Sequence, residues 1–335
     1  MTSSTYPPIK ALFLNLSDIE RVAPSYGEIV ELVEQTYRWE AEGKAEVPTK
    51  LGVHPDRANT FLHAMPAWVS GMGALGAKIV TYYPGNYDNG LQDSTAIILL
   101  YDGETGQPLS IMEGMWITFA RTAACAAVAA KHLARKSPRS LGLVGCGGLG
   151  RWSLLMLAEV FPEISEVRVA SRTEASRKAF CERMADHGSW TLTPVDSAAD
   201  AVRGADIVIS STPQQPEPRL MGEWWQPGTL AIPFDYPYAW DDAAVAQIDR
   251  LVTDGPETIA RYERGFAAAG RPGLVFPDRR DGLADIVAGR IPGRERDDER
   301  ILTFITGIAS TDVTVALEIY RRAVAAGAGV EFAFD

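Results

Sequence analysis

The fold of this chain is decided by the stretch Leu141-Gly142-Leu143-Val144-Gly145-Cys146-Gly147-Gly148-Leu149-Gly150. Its first four residues form an apolar strand pattern, its last six fit G-x-G-x-x-G, and an apolar helix pattern follows over residues 152–160. In that context the first glycine permits a tight turn, the second lets backbone approach a pyrophosphate, and the third allows close helix packing. The stretch predicts a dinucleotide site at the helix N-terminus; the alternative is a strand-to-helix turn that binds no ligand.

The sequence on the carboxyl side of this stretch alternates between strand and helix patterns. Strands are predicted at residues 167–170, 206–211, 228–234 and 250–254, with a helix near residues 174–187. Such alternation is typical of a parallel, doubly wound sheet. We therefore predict an α/β fold in which a Rossmann-type domain covers residues 121–307.

The residues before the stretch follow a different pattern. A helix with apolar spacing is predicted within residues 18–43, and short β-type runs indicate an antiparallel sheet at residues 60–64, 76–82 and 96–101. An alanine-rich helix over residues 120–133 leads into the Rossmann domain, and the closing segment 301–326 has a helical pattern that is expected to return to the first domain. These patterns predict an α+β domain formed by residues 1–120 and 308–335.

Composition limits the class of protein. The chain has 335 residues, of which 46% are hydrophobic and 22% charged, as in globular proteins with room for two domains. A net charge of −11 would repel a polyanion, so a small molecule rather than nucleic acid is the expected partner. The three cysteines suggest neither a disulfide framework nor a thiolate zinc site, and no metal is predicted. Because no signal-like or membrane-spanning apolar run occurs, we predict a cytoplasmic protein without membrane contact.

The end of the second Rossmann strand bears on the choice of nucleotide. An acid at this place, about 20 residues past the glycine loop, would hold a ribose 2′-OH and repel a 2′-phosphate. Here Ser171, Arg172 and Thr173 offer two hydroxyl donors and a guanidinium that suit a phosphate. We predict that NADP(H) is preferred, with NAD(H) as the alternative if Arg172 is only a solvated loop residue. The predicted cofactor contacts are Thr122, Gly145, Gly147, Gly148, Leu149, Gly150, Ser171, Arg172, Thr173, Ser211, Thr212 and Pro213.

Several short motifs, in order along the chain, resemble one known family. Besides the glycine loop they are Gly76-Ala77-Lys78-Ile79-Val80, Pro84-Gly85-Asn86, residues 102–108, residues 118–124 and residues 307–312. Over nearly the whole chain their order and spacing resemble the ornithine cyclodeaminase/mu-crystallin family. The resemblance implies a nicotinamide cofactor, chemistry at a carbon that moves between amine and imine, and a homodimer in which the N-terminal sheets pack together. It also assigns substrate binding and dimerisation to the α+β domain.

The resemblance further implies individual site residues. Lys78 matches the family's active-site lysine, and Asp235 matches the aspartate that acts in proton transfer in cyclodeaminases. Arg121 matches an arginine that binds the substrate carboxylate, and Lys50 stands where another such arginine is expected, which keeps the charge but loses the bidentate fork. By residue type alone, a strand lysine is more often an exposed edge residue, such an arginine a surface charge, and such an aspartate a turn or N-cap.

His63 departs from the family's cyclodeaminase pattern. In that pattern an acid precedes a Met-Pro pair by two positions and holds the distal amino group of ornithine; here His63 precedes Met65-Pro66. An imidazole cannot hold an ammonium as a carboxylate does, which puts ornithine in doubt as the substrate. The other interpretation is that His63 is a hydrogen-bonded strand residue.

Three functions of different classes follow. The first is an NAD(P)H-dependent imine (ketimine) reductase or amino-acid dehydrogenase acting on a C=N/C–N bond next to a carboxylate. In it, Lys78 and Asp235 are catalytic, while Lys50, His63 and Arg121 bind an imino or amino acid. The second is a cyclodeaminase, an ammonia-lyase that uses bound NAD, and the third is a non-catalytic NADP(H)-dependent binding protein of mu-crystallin type. The loop at residues 171–173 and His63 favour the first.

Overall fold

The computed structural model describes residues 8–57, 59–213, 219–235, 239–255, 259–260, 263–264 and 276–334. The first elements are β1 (Lys10–Leu14), α1 (Leu16–Val22), α2 (Tyr26–Ala41), β2 (Ala45–Glu46), β3 (Leu51–Val53), β4 (Phe61–Val69), β5 (Ala74–Tyr82), β6 (Ser94–Asp102), β7 (Pro108–Glu113) and α3 (Met115–Leu133). Among the described residues, no helix combines the length and the apolar character needed to cross a bilayer.

The middle of the chain alternates between strand and helix. It contains β8 (Ser140–Val144), α4 (Gly148–Val160), β9 (Glu166–Ala170), α5 (Glu174–Met184), β10 (Thr191–Pro194), α6 (Ala198–Val202), β11 (Ile207–Ser210), β12 (Leu230–Pro233), α7 (Asp242–Ala246) and β13 (Arg250–Thr253). The chain continues with β14 (Arg280–Gly282), α8 (Leu283–Val287), β15 (Ile301–Phe304), α9 (Ala309–Ala326) and β16 (Val330–Ala333). Single 3-10 turns occur at Tyr87–Asn89, Ala185–His187 and Gly222–Trp224.

The chain divides into two compact units. Unit 1 is Met1–Arg121 together with Ile308–Asp335, and unit 2 is Thr122–Gly307. The first boundary falls inside α3, and the second falls immediately before α9. Unit 1 is therefore assembled from both ends of the chain.

Unit 1 is built on a mixed sheet with the strand order β16-β1-β7-β6-β5-β4-β2, to which β3 adds by pairing with β4. Strands β4 to β7 pair antiparallel, as predicted, whereas β1 pairs parallel with β7. On β5 the buried residues Ala74, Gly76 and Lys78 alternate with half-buried ones, and α9 packs against β4, β5 and β6. One face of the sheet is thus covered by α9, and Lys78 points to that face.

The single helix predicted within residues 18–43 is instead two helices, α1 and α2. The break contains Pro24, which lacks a backbone N–H, and Ser25, which is the N-cap of α2. The Ser25 side chain accepts a hydrogen bond from the Glu28 amide, and the Glu28 side chain accepts one from the Ser25 amide. This reciprocal cap starts a new helix where the predicted one would have continued.

Unit 2 is a doubly wound parallel sheet with the strand order β10-β9-β8-β11-β12-β15-β13-β14. All of its strand pairs are parallel. The inner strands are largely buried, as expected of a sheet with helices on its faces, whereas the edge strands β10 and β14 are more exposed. The order reverses between β8 and β11, which places a crevice at the carboxyl ends of these strands. The predicted fold class, a Rossmann-type sheet plus an α+β domain, is confirmed.

The prediction of one closing helix over residues 301–326 was wrong at its start. Residues Ile301–Phe304 form β15, which is buried along its whole length and lies between β12 and β13. A short apolar run that is buried on both faces has no alternation to distinguish it from a helix segment. Only from Ala309 onward does the chain form a helix.

Candidate functional site

Lys78 lies in the middle of β5, under α9. Two residues before it, Gly76 lets the neighbouring elements approach closely, because a Cβ there would lie 2.4 Å from the carbonyl oxygen of Leu99 and 3.3 Å from Cγ1 of Val313. Val313 belongs to α9, and the residue before it is Asp312. The close packing of α9 on β5 therefore brings Asp312 to Lys78.

Asp312 joins two predicted site residues into one buried cluster. Its Oδ1 accepts a hydrogen bond of 2.8 Å from Lys78 Nζ and another of 2.7 Å from Arg121 Nε. The side chains of Lys78, Arg121 and Asp312 are 1%, 5% and 0% exposed. We call these three residues the cation cluster; two positive charges and one negative charge leave it with a net positive charge.

The protonation of Lys78 is strongly affected by this environment. Burial, followed by the positive charge of Arg121, lowers the pKa of Lys78 to about 7; Lys50 contributes in the same direction, and Asp312 opposes the shift. A group whose pKa lies near the pH of the cell can both give and take a proton. The strand lysine is therefore not the exposed edge residue that its type alone would suggest.

Lys50 and His63 lie in the same unit. Lys50 is half-buried in the segment between β2 and β3, near enough for its charge to act on Lys78. His63 stands opposite Val80 in the pairing of β4 with β5, whereas Met65 stands opposite Lys78, so the imidazole shares the Lys78 face. Its ring stacks on Phe61, with centroids 4.0 Å apart.

Asp312 is a candidate site residue that the sequence did not reveal. It occurs in the motif at residues 307–312 that supported the family resemblance, but no role could be assigned to it there. An acid in the first turn of a helix is usually explained by the helix dipole. The signal available in the sequence was that Asp312 precedes a mostly apolar run, residues 313–317, which the structure buries in α9.

The glycine loop of unit 2 has the geometry of an anion cradle. Gly145 has φ +105°, and a Cβ on it would lie 2.6 Å from the Ser211 carbonyl oxygen; one on Gly150 would lie 2.4 Å from that of Gly145. Gly147 is exposed, has open space where its Cβ would be, and is the N-cap of α4. A pyrophosphate can thus approach the backbone of Gly147, Gly148 and Leu149 at the positive end of the helix.

Asp235 follows β12 at the same edge of the unit 2 sheet. It accepts hydrogen bonds from Ser210 Oγ at 2.7 Å, from the Thr212 amide at 3.0 Å and from Thr212 Oγ1 at 2.8 Å. Burial raises the pKa of Asp235, although these hydrogen bonds act in the opposite direction. The segment Ser211-Thr212-Pro213 therefore adjoins both Asp235 and the glycine loop.

The other predicted cofactor residues are also in unit 2. Thr173 caps α5 by accepting from the Ser176 amide at 3.2 Å, and Ser171 Oγ donates to the Thr173 carbonyl at 3.1 Å. Their hydroxyls are thus already engaged at the start of the helix, whereas the Arg172 side chain is exposed. Thr122 is buried on α3.

The predicted site residues form two groups, one in each unit. Lys50, His63, Lys78 and Arg121 are in unit 1, and Asp235 is in unit 2 with the predicted cofactor contacts. Within unit 1, Asp312 joins Lys78 to Arg121, and within unit 2, residues 211–212 contact both Asp235 and the glycine loop. The first group is suited to an anion and a proton, the second to a phosphate-bearing ligand.

The chain is similar to several known proteins over nearly its whole length. Residues 10–327 match the family model of the ornithine cyclodeaminase/mu-crystallin family. The alanine dehydrogenase of Archaeoglobus fulgidus is 32% identical, over 97% of this chain and 99% of its own. The structure of Thermococcus litoralis Δ1-pyrroline-2-carboxylate reductase in complex with NADH and L-proline is 32% identical with a TM-score of 0.85, covering 95% of this chain and 99% of the other.

A second solved structure, an archaeal alanine dehydrogenase dimer with bound NAD, is 31% identical with a TM-score of 0.86. It covers 98% of this chain and 100% of the other. These matches extend through both units, as the sequence motifs do. The chain belongs to the ornithine cyclodeaminase/mu-crystallin family.

Proposed function

We propose that this chain is an NAD(P)H-dependent reductase or dehydrogenase acting on a C=N/C–N bond next to a carboxylate. The observation that carries the proposal is the buried cation cluster, in which a lysine with a pKa of about 7 adjoins an arginine. Two relatives support it, since one reduces Δ1-pyrroline-2-carboxylate and the other is an alanine dehydrogenase. In this proposal, unit 1 binds the substrate and unit 2 binds the dinucleotide.

The residues of unit 1 divide the work on the substrate. Arg121, with Lys50, binds the carboxylate, and Lys78 gives a proton to the imine nitrogen in the reducing direction or takes one from the amine in reverse. His63 borders the substrate side chain. Reduction forms one C–H and one N–H bond as the second C–N bond is lost, and the cofactor is oxidised.

The residues of unit 2 hold the cofactor and supply a second acid–base group. When bound, the nicotinamide supplies or accepts the hydride. Gly145, Gly147 and Gly150 shape the loop that holds the pyrophosphate, while Thr122 and residues 211–213 complete the binding site. Asp235, whose pKa is raised by burial, serves as an acid or base.

Absorbance separates the proposed reaction from the alternatives. The purified chain should oxidise NADPH in proportion to added Δ1-pyrroline-2-carboxylate or Δ1-piperideine-2-carboxylate. Ammonia release from a diamino acid without net change in cofactor absorbance would instead identify a cyclodeaminase. NADPH binding with no turnover of any imine in a broad panel would identify a binding protein.

The preference for NADP(H) is the finer part of the cofactor proposal. It rests on the exposed guanidinium of Arg172, which is free of the helix cap that engages Ser171 and Thr173. The substitution Arg172→Ala removes a charge-assisted hydrogen bond to the 2′-phosphate. It should weaken NADPH binding about ten- to a hundredfold and leave NADH binding unchanged. The control is Arg183→Ala, since Arg183 is an exposed arginine of α5, the helix that Thr173 caps. Wild-type binding of NADH as tight as that of NADPH would contradict the preference.

We also propose a homodimer, formed through the face of the unit 1 sheet that α9 does not cover. Exposed apolar residues on that face include Phe13 (41%), Ile97 (52%), Tyr101 (37%) and Phe332 (49%). Such a surface favours association. Ile97→Glu should shift sedimentation from dimer to monomer, whereas Val324→Glu, an exposed apolar residue on α9, should not. A wild-type monomer would refute the proposal.

A further inference from the structure

The two cations of the cation cluster share one acceptor, Oδ1 of Asp312. Lys78 and Arg121 come from β5 and α3, and both donate to Oδ1 of Asp312 in α9. Without this carboxylate, the two buried cations would lose the anion that lies between them. Because like charges repel strongly away from water, Lys78 could then keep its proton only at a lower pH.

Stability alone does not explain why Asp312 is buried between Lys78 and Arg121. A buried ion pair contributes to stability only when its geometry is good and its remaining polar atoms are hydrogen-bonded. Asp312 Oδ2 is buried and finds no hydrogen-bond partner within the part of the chain that the structure describes. An acceptor left in this way costs free energy, so the carboxylate is better explained by its effect on the two cations.

The charges around Lys78 come from several elements. Arg121 of α3 and Lys50 of the β2–β3 segment are positive, Asp312 of α9 is negative, and His63 of β4 shares the Lys78 face. On β6 the residue opposite Lys78 is Ile98, which is apolar. Of these charged groups from the described part of the chain, Asp312 is the negative one, and it offsets part of the surrounding positive charge.

We propose that Asp312 is the positioning residue of the site: its Oδ1 holds Lys78 and Arg121 side by side and stabilises the protonated form of Lys78. Its location in the first turn of α9 supports this role, because the positive end of a helix is a favourable place for a carboxylate side chain. In the proposed reaction Arg121 binds the substrate carboxylate, while Lys78 presents its proton beside it. The inference rests on the proposed function for its consequence in catalysis, but not for its effect on Lys78.

The first test measures Lys78 in the chain without substrate. The chain has seven lysines, so 13Cε-lysine NMR gives a simple spectrum, in which Lys78→Met identifies the Lys78 signal. Asp312→Asn keeps the shape of the side chain and removes its charge. It should lower the titration midpoint of Lys78 by about 1 to 3 pH units. Glu318→Gln, which removes an acid paired with an arginine on the same helix, should leave the midpoint unchanged.

The second test measures catalysis across pH. In the wild type, kcat/KM for imine reduction should fall as pH rises through the Lys78 pKa of about 7. In Asp312→Asn the fall should begin at a lower pH. Where Lys78 is mostly deprotonated in both the wild type and the variant, kcat/KM of the variant should be lower by about tenfold for each pH unit by which the Lys78 pKa has moved. A merely structural role would lower the rate without moving the profile.

The outcomes separate the two proposals. A wild type that reduces no imine refutes the proposed function, while the NMR titration still tests the effect of Asp312 on Lys78. An active wild type and a folded Asp312→Asn variant with an unmoved Lys78 titration and pH profile overturn the inference. If Asp312→Asn does not fold, Asp312→Glu replaces it, since it keeps the charge and changes the position. For Asp312→Glu, a Lys78 titration midpoint close to that of the wild type together with a lowered kcat/KM then supports the inference. An unchanged kcat/KM in this variant overturns it.

Discussion

Lys78 and Asp235 are both buried ionisable groups, but their partners differ in kind. Lys78 donates to a carboxylate and has a second cation beside it, whereas Asp235 accepts from two hydroxyls and a backbone amide. Burial shifts both groups toward their neutral forms, lowering the pKa of Lys78 and raising that of Asp235. The same cause thus acts in opposite directions on a base and an acid.

The kind of partner determines how each pKa can be changed. Charged partners act over several ångströms, so the pKa of Lys78 depends on Arg121, Lys50 and Asp312 together. Neutral donors act only through direct hydrogen bonds, so Asp235 depends on Ser210 and Thr212. A charge change near Lys78 should therefore be felt more strongly than any single substitution around Asp235.

The largest effect is expected from Lys78→Met. Loss of the group that moves the proton should lower kcat/KM for imine reduction about 10²- to 10⁴-fold, with NADPH affinity unchanged. Steady-state kinetics and a fluorescence titration with NADPH measure the two quantities. Lys44→Met is the matched control, since Lys44 is an exposed lysine of the same unit. Wild-type kcat/KM in Lys78→Met would remove Lys78 from the reaction.

Asp235→Asn should have a smaller effect, about a hundredfold on kcat/KM. The amide keeps the size of the side chain and can still accept from Ser210 or Thr212, but it cannot carry a proton. Kinetics with the same imine measure the loss. Asp298→Asn, an exposed acid of unit 2, serves as control. A loss of kcat/KM equal to that of Lys78→Met would contradict the expected difference, because it would mean that Lys78 and Asp235 are equally necessary for the same step.

Much of the fold could be predicted because its signals are local. The glycine loop and the alternation after it predicted the parallel sheet, and turn signals predicted the antiparallel strands of unit 1. The errors arose where local patterns are ambiguous. The run Ile301–Phe304 is apolar throughout and becomes a strand only because β12 and β13 leave a place between them. Pro24 and Ser25 mark the break that divides the predicted first helix.

The site was predictable only where motifs carry it. Lys78, Arg121 and Asp235 lie in stretches that resemble the family, and the structure adds their burial and partners. Asp312 could not be paired with them, because its partners are 191 and 234 residues away in the sequence. Long-range contacts between a helix at one end of the chain and a strand near the other are set by packing, not by local pattern.

The smallest effect concerns stability. The Lys78 pKa is lowered from 10.5 to about 7 in the folded chain, so between these values the unfolded state binds more protons than the folded state. Lys78 therefore makes the free energy of unfolding rise with pH across that window, by at most about 1.4 kcal/mol per pH unit. Asp235 has the opposite sign, because its raised pKa makes the folded chain bind the extra proton above pH 3.8, so that its contribution falls as pH rises. Lys78→Met should reduce the rise in the free energy of unfolding between pH 7 and 10.5, whereas Lys44→Met should leave that rise unchanged. Urea unfolding at several pH values between 7 and 10.5 measures this slope. An unchanged slope in Lys78→Met would mean that the pKa of Lys78 is not lowered in the folded chain.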